Sequence, residues 1–125
     1  MKNLFFAVFV SAIALPFLGS SPAHAENRTF TEVAVEVNGV KAWLPSTLVV
    51  NKGDHVKIHL VNKIPGKNSV HGFAIDGYKV EELVTSKGKD VEFVADKTGI
   101  FQMRCQLHPA HLGGQLVVLG SMATE

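Results

Sequence analysis

The chain has 125 residues, among them 12 Lys and Arg, 11 Asp and Glu, and one Cys. A formal charge of +1 without a basic stripe argues against nucleic acid as a partner, and no basic amphipathic helix suits a membrane surface. A single Cys excludes an intrachain disulfide framework, so the one domain that this length allows must rely on its hydrophobic core.

The first 25 residues have the pattern of a secretory signal peptide. Lys2 precedes an apolar run over residues 4–18, and Ala23-His24-Ala25 supplies a small-residue cleavage site. An uncleaved membrane anchor is the alternative, but Pro16 interrupts the run, which is shorter than the roughly twenty residues that a bilayer span needs. We therefore expect residues 26–125 to be a periplasmic or otherwise exported domain without a membrane span.

The exported part contains seven short segments with strand character and no segment periodic enough to require a helix. In chain order they are residues 31–37, 48–50, 54–63, 70–75, 90–95, 100–104 and 115–119. Turn residues separate them, the first pair being Asn38-Gly39. This spacing predicts an all-β, antiparallel Greek-key β-sandwich of about seven to eight strands. Residues 78–85 fit either a helical turn or an irregular crossover.

The only Cys lies close to two histidines, because Cys105, His108 and His111 fall within seven residues. An exported thiol meets oxidising conditions without an intramolecular partner, and ligation of a metal is one way for it to persist. A soft thiolate beside imidazoles favours copper over magnesium or calcium, although zinc suits the same donors. The alternative, a buried free Cys acting as a small hydrophobe, is disfavoured by the flanking histidines.

A fourth ligand is expected from the segment 70–75. Loops gather at the two ends of a sandwich, so His71 can meet the loop that follows residues 100–104. A strand histidine alone is more often a partly buried structural residue, but its pairing with the Cys105 loop favours ligation. We therefore predict that His71, Cys105, His108 and His111 bind one copper ion per chain.

These residues resemble the cupredoxin family over essentially all of residues 26–125. Cys105-x-x-His108-x-x-His111 has the loop spacing of amicyanin-like members, and Val70-His71-Gly72-Phe73 is similar to the segment that carries the family's first histidine. Four stretches are also similar to nitrosocyanin, the red copper protein, namely residues 47–54, 72–76, 93–99 and 105–109. The resemblance implies a copper β-sandwich that exchanges electrons with redox proteins, and it hints at a homo-oligomer.

Two ligand positions depart from the relatives that the chain resembles. His111 stands where amicyanin-like loops have methionine, and His71 stands where nitrosocyanin supplies a glutamate. Imidazole binds copper more strongly than a long axial thioether does, so we expect a tetragonally distorted site with a lower reduction potential. The alternative for His111 is a surface position beside the site, and Met103 and Met122 are poorer candidates for its place.

The leading functional hypothesis is an exported mononuclear copper protein that carries single electrons. A copper redox enzyme acting on a small nitrogen or oxygen species is the alternative, in which His111 or a water exchanges with substrate. Copper storage or delivery ranks last, because the chain has no exposed Met- or His-rich tract.

Several neighbours of the expected site have predicted roles. Pro109 stiffens the loop and Gly72 lets backbone approach the thiolate. Trp43 is expected to pack in the core or at a sandwich edge, and His55 and His59 to share a polar strand face rather than form a second metal site. An apolar collar is expected around the exposed edge of His108, formed by Ile64, Pro65, Leu107, Pro109, Ala110 and Leu112.

Overall fold

The structure, a computed structural model, describes residues 24–120 and folds them into nine β-strands. The strands are β1 Asn27–Val37, β2 Val40–Leu44, β3 Thr47–Asn51, β4 His55–Asn62, β5 His71–Ile75, β6 Val80–Val84, β7 Lys89–Val94, β8 Gly99–Arg104 and β9 Gly114–Leu119. Within this range no helix has the length and apolar character to cross a membrane. Most of the expected signal peptide, residues 1–23, and Met122 lie outside the described residues.

The strands form two sheets, in the orders β2-β1-β4-β7 and β3-β9-β8-β5-β6. The prediction of an all-β sandwich is confirmed. Its purely antiparallel character is wrong, because β1 pairs with β4 and β3 pairs with β9 in parallel. The two strands of each parallel pair are distant in the chain. The segment that connects them passes through the other sheet, because a hairpin can join only antiparallel strands.

Two strands were not predicted. β2 follows the tight turn at Asn38-Gly39, where both residues have positive φ angles of 51° and 77°. The backbone twist of such a two-residue turn matches the twist of the two strands that it joins, and the turn brings Val37 opposite Val40. β6 occupies most of the ambiguous segment 78–85 and pairs with β5 as an edge strand, so this segment is neither a helical turn nor an irregular crossover.

The core fills the space between the two sheets. β4 contributes Val56, Ile58 and Leu60 on the face that its alternation predicts. Trp43 is 2% exposed and meets the ring of Phe73 edge-on at 5.2 Å between centroids, which confirms its expected place in the core. This packing anchors β2, a strand of one sheet, against β5 of the other.

The face of β1 that carries Glu32 and Ala34 points toward the core. Glu32 and Ala34 are buried, whereas the valine face points outward and Val37 is 60% exposed. Neither carboxylate oxygen of Glu32 has a hydrogen-bond partner, and burial raises the pKa of Glu32 to about 8. The side chain is therefore mostly protonated at neutral pH.

A second buried carboxylate, that of Asp54, lies beside the start of β1. It accepts hydrogen bonds from the backbone N–H groups of Glu26 at 3.0 Å and Asn51 at 2.9 Å, and from Arg28 Nε at 3.3 Å. Burial alone would raise the pKa of Asp54, but these hydrogen bonds and the Arg28 charge outweigh burial and lower it. Asp54 thus ties the start of β1 to the turn between β3 and β4.

Asp54→Asn is expected to reduce the free energy of unfolding at pH 7 by about 1–3 kcal/mol, because buried donors lose a charged acceptor. The lowered pKa means that Asp54 stabilises the fold above its unfolded pKa and loses this effect as the pH falls through its folded pKa. The gap between variant and wild type should therefore narrow in acid, as measured by urea unfolding. Asp76→Asn, at a half-exposed ion pair with Arg104, is the control and should cost under about 1 kcal/mol. Equal losses in both variants would contradict this role of Asp54.

Candidate metal centre

The pairing of β5 with β8 brings His71 and Cys105 to one end of the sandwich. These strands are antiparallel, with Ala74 opposite Arg104, so the beginning of β5 lies beside the end of β8. His71 is the first residue of β5, and Cys105 directly follows β8. Residues 105–113 then form the loop to β9.

The loop folds back so that His108 and His111 join the other two side chains. The backbone N–H of His111 donates to the carbonyl of His108 at 3.0 Å, and their rings stack at 4.5 Å between centroids. The ring of His71 lies 4.9 Å from that of His111 and 5.3 Å from that of His108. One nitrogen of each histidine and the Sγ of Cys105 all lie within 4.8 Å of one another.

This arrangement fits a metal ion. Two ligands on a shared metal, each about 2.0–2.3 Å from it, are separated by at most about 4.5 Å, close to the spread of these four atoms. The Nδ1 atom of His71 is buried without a hydrogen-bond partner, whereas its Nε2 atom lies 3.1 Å from Ser69 Oγ. Cys105 is 3% exposed and carries a free thiol. A metal would satisfy both the unpartnered nitrogen and the buried sulfur.

The surroundings favour the neutral form of two of the imidazoles. Burial lowers the pKa values of His71 and His111, and the neighbouring charges of His108 and Lys41 lower them further, whereas Glu36 acts in the opposite direction. Neutral imidazole is the form that binds metals. These two side chains are therefore ready to ligate at neutral pH.

Backbone and amide groups hold the thiol from the side of β5. The N–H of Gly72 donates to Cys105 Sγ at 3.2 Å, which agrees with the expected close approach of backbone at this glycine. A Cβ atom on Gly72 would overlap the side-chain amide of Gln106 and lie 3.0 Å from the Gln106 backbone nitrogen. The Gln106 amide in turn donates to the carbonyl of Glu82 on β6 at 3.1 Å.

Two further segments brace the site. Asn62 is buried and its amide donates to the carbonyls of Ser69, at 3.2 Å, and Val84, at 3.3 Å, which holds the chain just before His71. On the other side, β2 bonds to the loop, since Leu112 N–H donates to the Lys41 carbonyl at 2.8 Å. None of these contacts is evident from the sequence, although Asn38-Gly39 indicates the hairpin that brings β2 to the loop.

Five of the six residues that were expected to form an apolar collar are exposed. His108 is exposed, as are Leu107 and Leu112, at 45% and 58%, together with Pro65, Pro109 and Ala110. Ile64 is only 6% exposed, because Asn62 Oδ1 accepts its backbone N–H and the side chain packs in the core. Its assignment to the collar was therefore wrong.

The other histidines that were considered as ligands, His55 and His59, do not belong to the cluster. His59 Nδ1 contacts Asp90 Oδ1 at 2.6 Å across β4 and β7, which confirms a polar interstrand role, and His55 is exposed on the same strand. Met103 is 1% exposed within the core. Over residues 24–120, His71, Cys105, His108 and His111 form the one group of His, Cys, Asp and Glu side chains close enough to hold a metal.

Fold and site together define a two-sheet β-sandwich with, at one end, a cluster of Cys and His side chains that could hold a metal ion. The sequence matches the family model for the cupredoxin-like domain over residues 9–118, and the chain belongs to this family.

The chain is also similar to individual proteins in part of its sequence or in its fold. A segment of 66 residues is 39% identical to the nitrous-oxide reductase of Cupriavidus necator, covering 50% of this chain and 10% of that protein. The fold is similar to the copper nitrite reductase of Nitrosomonas europaea, with a TM-score of 0.61 and 17% identity over 77% of this chain and 42% of that one. Auracyanin from Roseiflexus castenholzii gives a TM-score of 0.58 and 14% identity over 73% of this chain and 96% of that one. The chain thus spans a small part of its curated relative and under half of the nitrite reductase.

Proposed function

We propose that His71, Cys105, His108 and His111 hold one copper ion and that the protein carries single electrons between redox proteins. The observation that carries this proposal is the buried Cys105 thiol beside the unpartnered Nδ1 of His71, within a cluster of four potential ligand atoms. A thiolate with imidazoles is a donor set that suits copper. When bound, copper would supply a centre that takes up and releases one electron.

The residues of the chain suit this role by holding the ligands in place. Gly72, Asn62 and Gln106 fix the segments around Cys105 and His71 through hydrogen bonds that need no metal. A site held in this way reorganises little when its charge changes. The Gly72 N–H also withdraws negative charge from the sulfur, which tunes the potential.

The exposed edge of His108 is the route by which an electron would enter or leave. Leu107 and Leu112 flank it with exposed apolar surface, which suits brief docking of a redox partner. The same surface is compatible with a homo-oligomer.

A copper redox enzyme is the second candidate. The relatives include proteins named nitrous-oxide reductase and copper nitrite reductase, and His111 is only partly buried, so a small nitrogen or oxygen species could compete for its position. Storage or delivery ranks third.

Two measurements on the copper-loaded protein separate the leading candidates. An electron carrier should show rapid electron self-exchange by NMR line broadening in mixed oxidised and reduced samples, and its visible spectrum should not respond to azide or nitrite. A ligand-induced spectral change together with consumption of nitrite would instead support the enzyme. Metal analysis in the same samples distinguishes copper from zinc.

His111→Met should make the visible spectrum more like that of a blue copper site and should raise the reduction potential. A thioether at this position would bind copper more weakly than an imidazole and would stabilise the oxidised ion less. Voltammetry and absorption spectroscopy measure both changes. His55→Met, on the exposed face of β4, is the matched control and should change neither. If His111→Met behaves like the control, His111 is outside the coordination shell.

Export is part of the proposal. Cleavage after Ala25 would release residues 26–125 as a copper-binding domain in the periplasm or beyond. N-terminal sequencing of the protein from the periplasmic fraction should begin at Glu26. Recovery of the uncleaved chain in the membrane fraction would support an anchor instead.

A further inference from the structure

Trp43 contacts both of the segments that carry the candidate ligands. Its indole Nε1–H donates to the carbonyl of Gly72 at 2.8 Å in a buried hydrogen bond. Its backbone N–H donates to the carbonyl of Leu112 at 3.1 Å. Gly72 directly follows His71, and Leu112 directly follows His111, so one residue is bonded to the neighbours of two ligands.

The indole is one residue removed from the thiol. Gly72, whose carbonyl accepts the indole N–H, uses its own N–H to donate to Cys105 Sγ at 3.2 Å. Fixing the carbonyl of Gly72 limits rotation of its backbone and so keeps its N–H directed at the sulfur. Hydrogen bonds to a ligating thiolate influence the charge on sulfur and the behaviour of the metal.

The position of Trp43 makes these contacts rigid. The side chain is 2% exposed, and its ring meets Phe73 at an interplanar angle of 75°. Trp43 belongs to the sheet β2-β1-β4-β7, whereas His71 and the strands flanking the loop belong to the other sheet. The indole therefore ties the two sheets together at the end of the sandwich where the ligands lie.

We propose that Trp43 is a positioning residue for the metal centre, an inference that rests on the proposed function. Its indole N–H orients Gly72 and thereby the N–H···S bond to Cys105, and its backbone holds the ligand loop at Leu112. Core packing alone would require only an apolar ring at this position. The positioning role requires the N–H group.

Trp43→Phe tests this role because it keeps an aromatic ring and removes the indole N–H. In the copper-loaded protein, the energy of the thiolate absorption band and the reduction potential should both shift. Metal affinity, measured with zinc as well as copper, should fall about 10- to 100-fold, the usual cost of losing a group that orients metal ligands. Ile58→Ala, in the fully buried part of β4, is the control for lost core packing and should lower stability while leaving band and potential unchanged.

A second replacement keeps the test decisive if Trp43→Phe does not fold. Trp43 is the only tryptophan of the chain. The analogue 3-benzothienylalanine, introduced at position 43 by suppression of a stop codon, exchanges the indole N–H for sulfur at nearly constant shape. A shifted band and potential in this protein would support positioning by the N–H. Band, potential and affinity equal to those of the wild type would overturn it. Failure of the proposed function is distinct, because the wild type itself would then show no thiolate band with copper.

Discussion

Replacing Cys105 with serine is expected to abolish the visible absorption band of the copper-loaded protein. The band arises from charge transfer between thiolate and copper, and a serine hydroxyl has nearly the same shape but stays protonated at neutral pH. Cys105 is 3% exposed and within 3.5 Å of His108 Nδ1, so the substitution changes donor chemistry with little change in volume. Absorption and paramagnetic resonance spectra at matched copper loading measure the loss.

The control for this experiment is a histidine outside the cluster. His55→Gln alters an exposed side chain on β4 and should leave the band at full intensity. Copper content of both variants must be measured, because loss of the sulfur ligand also weakens binding. An intense band that persists in Cys105→Ser would remove Cys105 from the proposed ligand set.

Glu32 is expected to make the fold less stable as the pH rises. Its pKa is raised from 4.5 to about 8, so the folded state retains a proton that the unfolded chain has already released. The free energy of unfolding should be highest, as far as Glu32 is concerned, below pH 4.5, and should fall until the pH exceeds about 8. At about 1.4 kcal/mol per pH unit, the total loss is about 5 kcal/mol.

Glu32→Met and Glu32→Gln test this expectation together. Both remove the titration, and methionine also removes the buried polar atoms at nearly the same length, so it should give the more stable protein at pH 8. Urea unfolding of the metal-free protein gives the free energy of unfolding of each variant and of the wild type. The difference between the two is compared across pH, because the lowered pKa values of His71 and His111 reduce the stability of all these proteins in acid and this effect cancels in the difference. A difference that does not change between pH 5 and pH 8 would show that Glu32 ionises normally in the fold.

Some strands were predictable because their own residues determine which face is buried. β4 alternates cleanly, and Val56, Ile58 and Leu60 lie inward as expected. In β6 the buried residues Val80 and Val84 are separated by Glu81, Glu82 and Leu83, so their four-residue spacing resembles that of a helix. Pairing with β5 and an ion pair between Glu82 and Lys89 stabilise the strand, and neither is visible in the segment itself.

For β1 and β2, too, the residues of the strand alone do not determine the structure. Both faces of β1 contain small or apolar residues, and the choice of the Glu32 and Ala34 face depends on the packing of the opposite sheet. In β2 only Trp43 is fully buried, so its periodicity is weak, yet Asn38-Gly39 alone is a strong hairpin signal. This turn is therefore the feature of the sequence that indicates β2.

One part of the candidate site could be predicted from the sequence and another part could not. The close spacing in the chain predicted that Cys105, His108 and His111 lie together, and the gathering of loops at the ends of a sandwich predicted that His71 joins them. The structure places all four side chains in one cluster. The groups that brace them could not be read from the sequence. The bond from Trp43 to Gly72 joins residues 29 apart in the chain, and that from Gln106 to Glu82 joins residues 24 apart.

X-ray absorption at the copper edge, combined with the metal content of the exported protein, tests the central proposal most directly. We expect one copper ion per chain, with one sulfur donor and imidazole nitrogens in its ligand shell. A shell that contains only nitrogen and oxygen donors, or a protein that does not retain copper, would contradict it.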